Sequence, residues 1–170
     1  PTGEPDPDDV VTFLHVSDLH CNVGMAPVIR RIAELSGADA ILDTGDLTMN
    51  GTAVERFCVT TFAGAAPDGA PYVLITGNHD SAETAGQARA AGMTVLDGGV
   101  IEVEGVRILG DGDPNETRPG IGTQPTSEED VEAFADRVSL PCALSFVSLA
   151  QRARDPVLAR ARAALEKVWR

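Results

Sequence analysis

The stretch Val10 to Val16, VVTFLHV, is apolar and β-branched, the pattern of a buried strand. MAPVIRRIAEL then changes to a helical period, with Val28, Ile32 and Leu35 on one stripe and Gly37 placed to cap the C-terminus. Asp39 to Asp46, DAILDTGD, predicts a second strand that runs out into a glycine turn. TAVERFCVTTFAGA predicts a helix whose apolar contacts come from Val54, Phe57 and Phe62. In PYVLITGNHD the residues Val73 to Thr76 predict a third strand, and AETAGQARAAG the helix after it. Strands and helices alternating in this order predict a parallel βαβαβ sheet with right-handed crossovers.

The period then shortens. Val100 to Val103 and Val106 to Leu109 alternate in polarity across Glu104-Gly105, which predicts a β-hairpin. NETRPGIGTQPT reads as a loop, and SEEDVEAFADRV opens with the Ser-x-x-Asp signature of a helix start. Beyond Pro156, the residues Leu158, Ala161, Leu165 and Val168 mark an amphipathic helix.

Composition adds a division. Residues 1–139 carry seven arginines against 24 acidic residues (−17), and residues 140–170 carry six basic against two acidic residues (+4), which sums to the formal −13. The expected organisation is an acidic, Pro-rich linker over 1–9, a domain over 10–139 and a basic helical segment over 140–170. An overall charge of −13 argues against binding nucleic acid by phosphate neutralisation. Cys21, Cys58 and Cys142 are too few and too scattered for a disulfide framework or a zinc knuckle, which points to a reducing, cytoplasmic setting. No apolar run reaches the roughly 18 residues of a membrane span, and the sequence as given predicts no signal peptide; the first residue is Pro1, which leaves room for an upstream tether.

The chemistry lies where the strands end. Asp18-Leu19-His20 follows the first strand, Gly45-Asp46 the second and Gly77-Asn78-His79-Asp80 the third. In a parallel α/β sheet that edge is where ligands bind. Asp18 and His20, two apart as the chain leaves a strand, can reach one cation through a carboxylate oxygen and an imidazole nitrogen. A carboxylate such as Asp46 can bridge two cations set ~3.5–4 Å apart, and Asn78 offers a neutral carbonyl oxygen to the second. Such mixed oxygen and nitrogen ligation suits Mn, Fe or Zn better than a thiolate site would. His79 is then free to meet a phosphate oxygen or protonate a leaving group. Asp80 can orient His79 or cap the helix that begins near Ala82. His15 reads as a packed, hydrogen-bonded strand residue, and Thr48 and Asn50 as turn residues or substrate contacts.

The set SDLH, TGDLT and GNHD resembles the calcineurin-like metallophosphoesterase superfamily over roughly Val10 to Asp113. The resemblance implies an α/β fold of the metallophosphoesterase type, an αββα sandwich: a parallel βαβαβ core, then a β-hairpin and C-terminal helices. It implies phosphomonoester or phosphodiester hydrolysis at two divalent ions (Mn, Fe, Zn or Mg), with a metal-activated hydroxide as nucleophile. By it, Asp18 and His20 serve the first metal, Asp46 bridges, Asn78 serves the second, His79 is the catalytic histidine and Asp80 orients it.

This sequence also departs from the family. The histidines are His15, His20 and His79, and the isolated histidine and Gly-His-x-His that follow in relatives have no counterpart. The expectation is an incomplete sandwich and an incomplete second metal site, as in a truncated or frame-disrupted member. Asp111 and Asp113 are candidate replacement ligands, more simply read as turn carboxylates. The competing expectation is an inactive remnant serving as a structural or binding module. An uncovered sheet would further predict a homodimer. A haloacid-dehalogenase-like reading of ILDTGDLT fails, because the position two after Asp43 is Gly45 and the one lysine is Lys167.

Overall fold

The computed structural model describes residues 10–126, 128–129 and 132–138. The expected linker, the basic segment with its Leu158–Val168 stripe, Ser127 and Cys142 lie outside them. Two compact units divide the chain, Pro1–Glu128 and Glu129–Arg170. Within the second, residues 132–138 are helical, and Arg137 reaches both carboxylate oxygens of Glu129, at 2.9 and 2.8 Å.

The first unit is built on a four-stranded parallel sheet of β1 (Phe13–Val16), β2 (Ala40–Asp43), β3 (Tyr72–Ile75) and β4 (Thr94–Leu96), side by side in sequence order. Between them run α1 (Ala26–Ser36), α2 (Arg56–Ala63) and α3 (Ala82–Ala90). Ile29 and Ala33 of α1, Val59 and Phe62 of α2 and Ala88 of α3 join Ile41, Tyr72 and Leu74 in one buried cluster. Those strand residues share one face by the two-residue alternation of a strand, and the pairing of Ile41 with Tyr72 puts them in register. The helices therefore form a single layer on that face, as right-handed crossovers between strands laid down in order require.

β5 (Val100–Val103) and β6 (Val106–Leu109) form the hairpin that the alternation predicts, with Glu104-Gly105 at the turn. Gly110, just past it, lies against Ile75 and Leu96. Mixed α/β architecture, a parallel core and a following hairpin thus stand as expected.

Several local expectations are corrected. β1 begins at Phe13, because its partner β2 begins at Ala40 and leaves Val10 nothing to pair with; Val10 is exposed. β4 was hidden, three residues running into Asp97-Gly98-Gly99. On α1, Val28, Ile32 and Leu35 face solvent, and Ala26, Ile29 and Ala33 face the core. Both stripes fit a helical period; the one with two alanines lets the helix approach the sheet closely. Gly37 caps α1 with a left-handed φ of 61°. A 3-10 turn over Ala53–Glu55 precedes α2, so Val54 and Phe57 point outward while Cys58, Val59 and Phe62 are buried.

The expected loop after Pro114 is a second hairpin, β7 (Asn115–Arg118) with β8 (Gly122–Pro125). Its strands carry no apolar alternation; they are held by ladder bonds and a Thr117–Thr123 hydroxyl pair at 2.9 Å. His15 keeps a hydrogen bond, to the Thr44 hydroxyl at 2.9 Å, but it is exposed, not packed. Finally, Cys21 and Cys58 form a disulfide across 37 residues with Cα atoms 5.2 Å apart. That pairing joins the loop after β1 to α2, and it removes the cysteine argument for a reducing compartment.

Candidate metal centre

Three loops leave the ends of β1, β2 and β3 and are laced together by backbone hydrogen bonds. Asp18, His20 and Cys21 donate their N–H groups to the carbonyls of Gly45, Asp46 and Leu47, each at 2.9 Å. Asp18, His20, Cys21 and Asp46 all carry positive φ, between 43° and 58°. Non-glycine residues in this region are strained, and such strain concentrates where side chains must be aimed. A side chain at Gly45 would collide with the backbone of Gly77, and one at Gly77 with Asp46. The two glycines therefore let the second and third loops touch.

The result is a group of ligand atoms from Asp18, His20 and Asp46, all within 4.8 Å of one another. His20 Nδ1 lies 3.3 Å from the Thr48 carbonyl. A carbonyl can only accept, so Nδ1 is the nitrogen that carries the proton in the neutral ring, which leaves Nε2 as the ligand atom. Nε2 lies 3.9 Å from Asp18 Oδ1, and in the neutral ring both atoms offer lone pairs. A cation resolves this arrangement, and hard oxygens with one imidazole suit a divalent ion. The donor set fits the metal that the sequence implies.

His79 stands at the edge of this group, its ring 4.9 Å from that of His20 in an edge-to-face arrangement. Its N–H donates to Asp46 Oδ1 at 2.9 Å, and its Nδ1 lies 2.9 Å from the carbonyl of Met49. Asn78 spends its amide nitrogen on the Thr117 hydroxyl at 2.6 Å, which leaves its oxygen as the donor for a cation.

Asp80 differs from expectation. It is buried, and its carboxylate accepts from the N–H groups of Leu47, Thr48 and Gly77 and from the Thr48 hydroxyl. It ties the second loop to the third; the backbone of Met49, not Asp80, faces the His79 ring. Helix α3 is capped instead by Ser81. Thr48 is wholly buried, so it cannot reach a substrate. Asp111 and Asp113 each accept from nearby backbone N–H groups of their own loop, as turn carboxylates do.

Two further carboxylates shape the site. Asp43, at the end of β2, is fully buried. Burial pushes its carboxyl up from 3.8 to about 7, against the lowering effect of the Tyr72 hydroxyl at 2.7 Å and the Gly45 N–H at 3.0 Å; the charges of Asp80 and Asp18 push it further up. The Tyr72 hydroxyl is in turn pushed up by burial and by the Asp43 charge. Glu55 accepts from the N–H groups of Met49, Asn50 and Thr52. Burial would raise it, but those bonds together with the Thr52 hydroxyl outweigh burial and hold it below the usual range.

The sequence gives no sign of Met49, because a backbone carbonyl leaves no trace in residue type. Glu55 had a readable signal: Thr52-x-x-Glu55 is a capping box.

A family model described as calcineurin-like phosphoesterase matches residues 11–134. No curated protein matches the chain.

Proposed function

The chain belongs to the calcineurin-like phosphoesterase family, with a domain of the metal-dependent phosphoesterase kind, and from that premise we propose that it hydrolyses phosphomonoesters or phosphodiesters at a dinuclear centre. The observation that carries this reading is the convergence of Asp18, His20 and Asp46 within 4.8 Å, with Nε2 of His20 turned towards a carboxylate. Asp18, His20 and Asp46 would hold one cation, and Asp46 with the side-chain oxygen of Asn78 would hold a second. Divalent ions bound there supply Lewis-acid polarisation of the phosphate and water of lowered pKa.

The protein's own residues do the rest. The Met49 carbonyl fixes the proton of His79 on Nδ1 and presents Nε2 to the substrate side. A protonated Nε2 donates to a phosphate oxygen and passes its proton to the departing ester oxygen. Asp80 keeps the two loops that carry Asp46 and His79 at fixed separation. Manganese is a suitable first ion for assay, since the ligand set is mixed oxygen and nitrogen.

The test is hydrolysis of p-nitrophenyl phosphate and bis(p-nitrophenyl) phosphate with and without Mn²⁺. We expect metal-dependent turnover that falls about 10²- to 10⁴-fold in His79→Ala, the range for a lost general acid. Turnover that is absent, or that is metal-independent and unchanged in His79→Ala, contradicts the proposal.

A further inference from the structure

Arg118 is the last residue of β7 and reaches the Asn78 loop. Its Nη1 donates to the carbonyls of Asn78 and His79, at 3.3 and 3.2 Å, and its Nη2 to the carbonyl of Asp80 at 2.7 Å. Nη1 also meets its neighbour's carbonyl, at Thr117, and Nη2 meets Glu116 at 3.0 Å. The side chain is 19 % exposed, so these bonds form largely out of water. Three consecutive carbonyls pointing at one guanidinium fix three consecutive peptide planes. A planar fork can do this, and an ammonium on a flexible stem cannot.

The decisive plane is the Asn78–His79 peptide. Its carbonyl accepts from Arg118 and from the Thr117 N–H at 2.7 Å. Its N–H donates to Asp46 Oδ1 at 2.9 Å. A cation-bound carbonyl makes the N–H on the other side of the same peptide a stronger donor, since hydrogen bonds in a chain polarise one another. We propose that Arg118 is a positioning residue: through the Asn78–His79 peptide it holds the Asp46 carboxylate and the His79 backbone in the geometry that binds the second cation. The inference rests on the reading of Asp46 as a metal ligand, but its immediate consequence, a stiffened N–H···Asp46 bond, does not need metal.

Amide NMR of the metal-free chain tests it. The His79 proton, donating to a carboxylate, resonates downfield, and Asp46→Asn moves it upfield. Arg118→Ala moves it upfield too and speeds its solvent exchange at least 10-fold, while the amides of α1 keep their shifts. Arg118→Lys, which retains the charge and the folded hairpin, recovers only part of the shift. A His79 amide unmoved in both Arg118 variants overturns the proposal, as does a shift fully restored by lysine. Mn²⁺ titration followed by electron paramagnetic resonance then reads the consequence. Manganese affinity falls 10- to 100-fold in Arg118→Ala, the usual effect of losing a group that orients a ligand. Affinity held at the wild-type value overturns the proposal. A wild-type chain that takes up no manganese sinks the metal reading alone, because the amide result stands apart from it.

Discussion

At the scale of single residues, what was legible is which side chains the strand-end motifs bring together. Asp18, His20 and Asp46 meet as their spacing after the strands implies, since a parallel sheet brings successive strand ends to one edge. Residues acting through backbone atoms or through burial were not legible. Met49 works by its carbonyl, and Asp80 exchanged an expected partner, the His79 ring, for four donors of the second and third loops. Asp43 is the clearest case of burial setting chemistry. With its folded pKa raised from 3.8 to about 7, the folded chain holds a proton that the unfolded chain releases over that interval. Its stabilising contribution is full below about pH 4 and is lost as pH rises through about 7. Melting of the metal-free chain between about pH 5 and pH 8 should therefore show a loss of stability that is smaller in Asp43→Asn. Equal slopes in the two proteins would remove Asp43 as the cause.

Elements were legible where apolar residues recur and misread where two patterns compete or none exists. The hairpin of β5 and β6 followed from strict alternation across Glu104-Gly105. On α1 both Val28-Ile32-Leu35 and Ala26-Ile29-Ala33 have helical spacing, and only packing against the sheet decides which is buried. β7 and β8 carry no apolar signal at all, yet they bring Thr117 and Arg118 to the Asn78 loop. The Cys21–Cys58 disulfide was invisible for another reason: a separation of 37 residues carries no information about contact. It fastens the residue after His20 to the buried face of α2. Closing a loop of that length is worth about 3–4 kcal/mol through the unfolded chain. Reduction with a dithiol, or Cys58→Ala, should lower the melting temperature by roughly 6–16 °C at 2–4 °C per kcal/mol. A melt insensitive to reductant would show that the staple adds nothing to stability.

At the scale of the whole molecule, the parallel sheet carries its helices on one face and its ligand residues at one edge, and the family match over residues 11–134 spans that arrangement. The net charge of −13 gives the molecule a field that draws in divalent cations and repels other anions. A phosphate ester therefore binds best once cations have neutralised the carboxylates of the site. Metal uptake therefore precedes substrate binding and catalysis. The most direct measurement is calorimetric titration of the metal-stripped chain with Mn²⁺, beside Asp46→Asn. Two sites are expected in the wild-type chain, one through Asp18 and His20 and one through Asn78, joined by Asp46 and both weakened at least 10-fold by the substitution. No binding, or binding that Asp46→Asn leaves unchanged, would contradict that expectation.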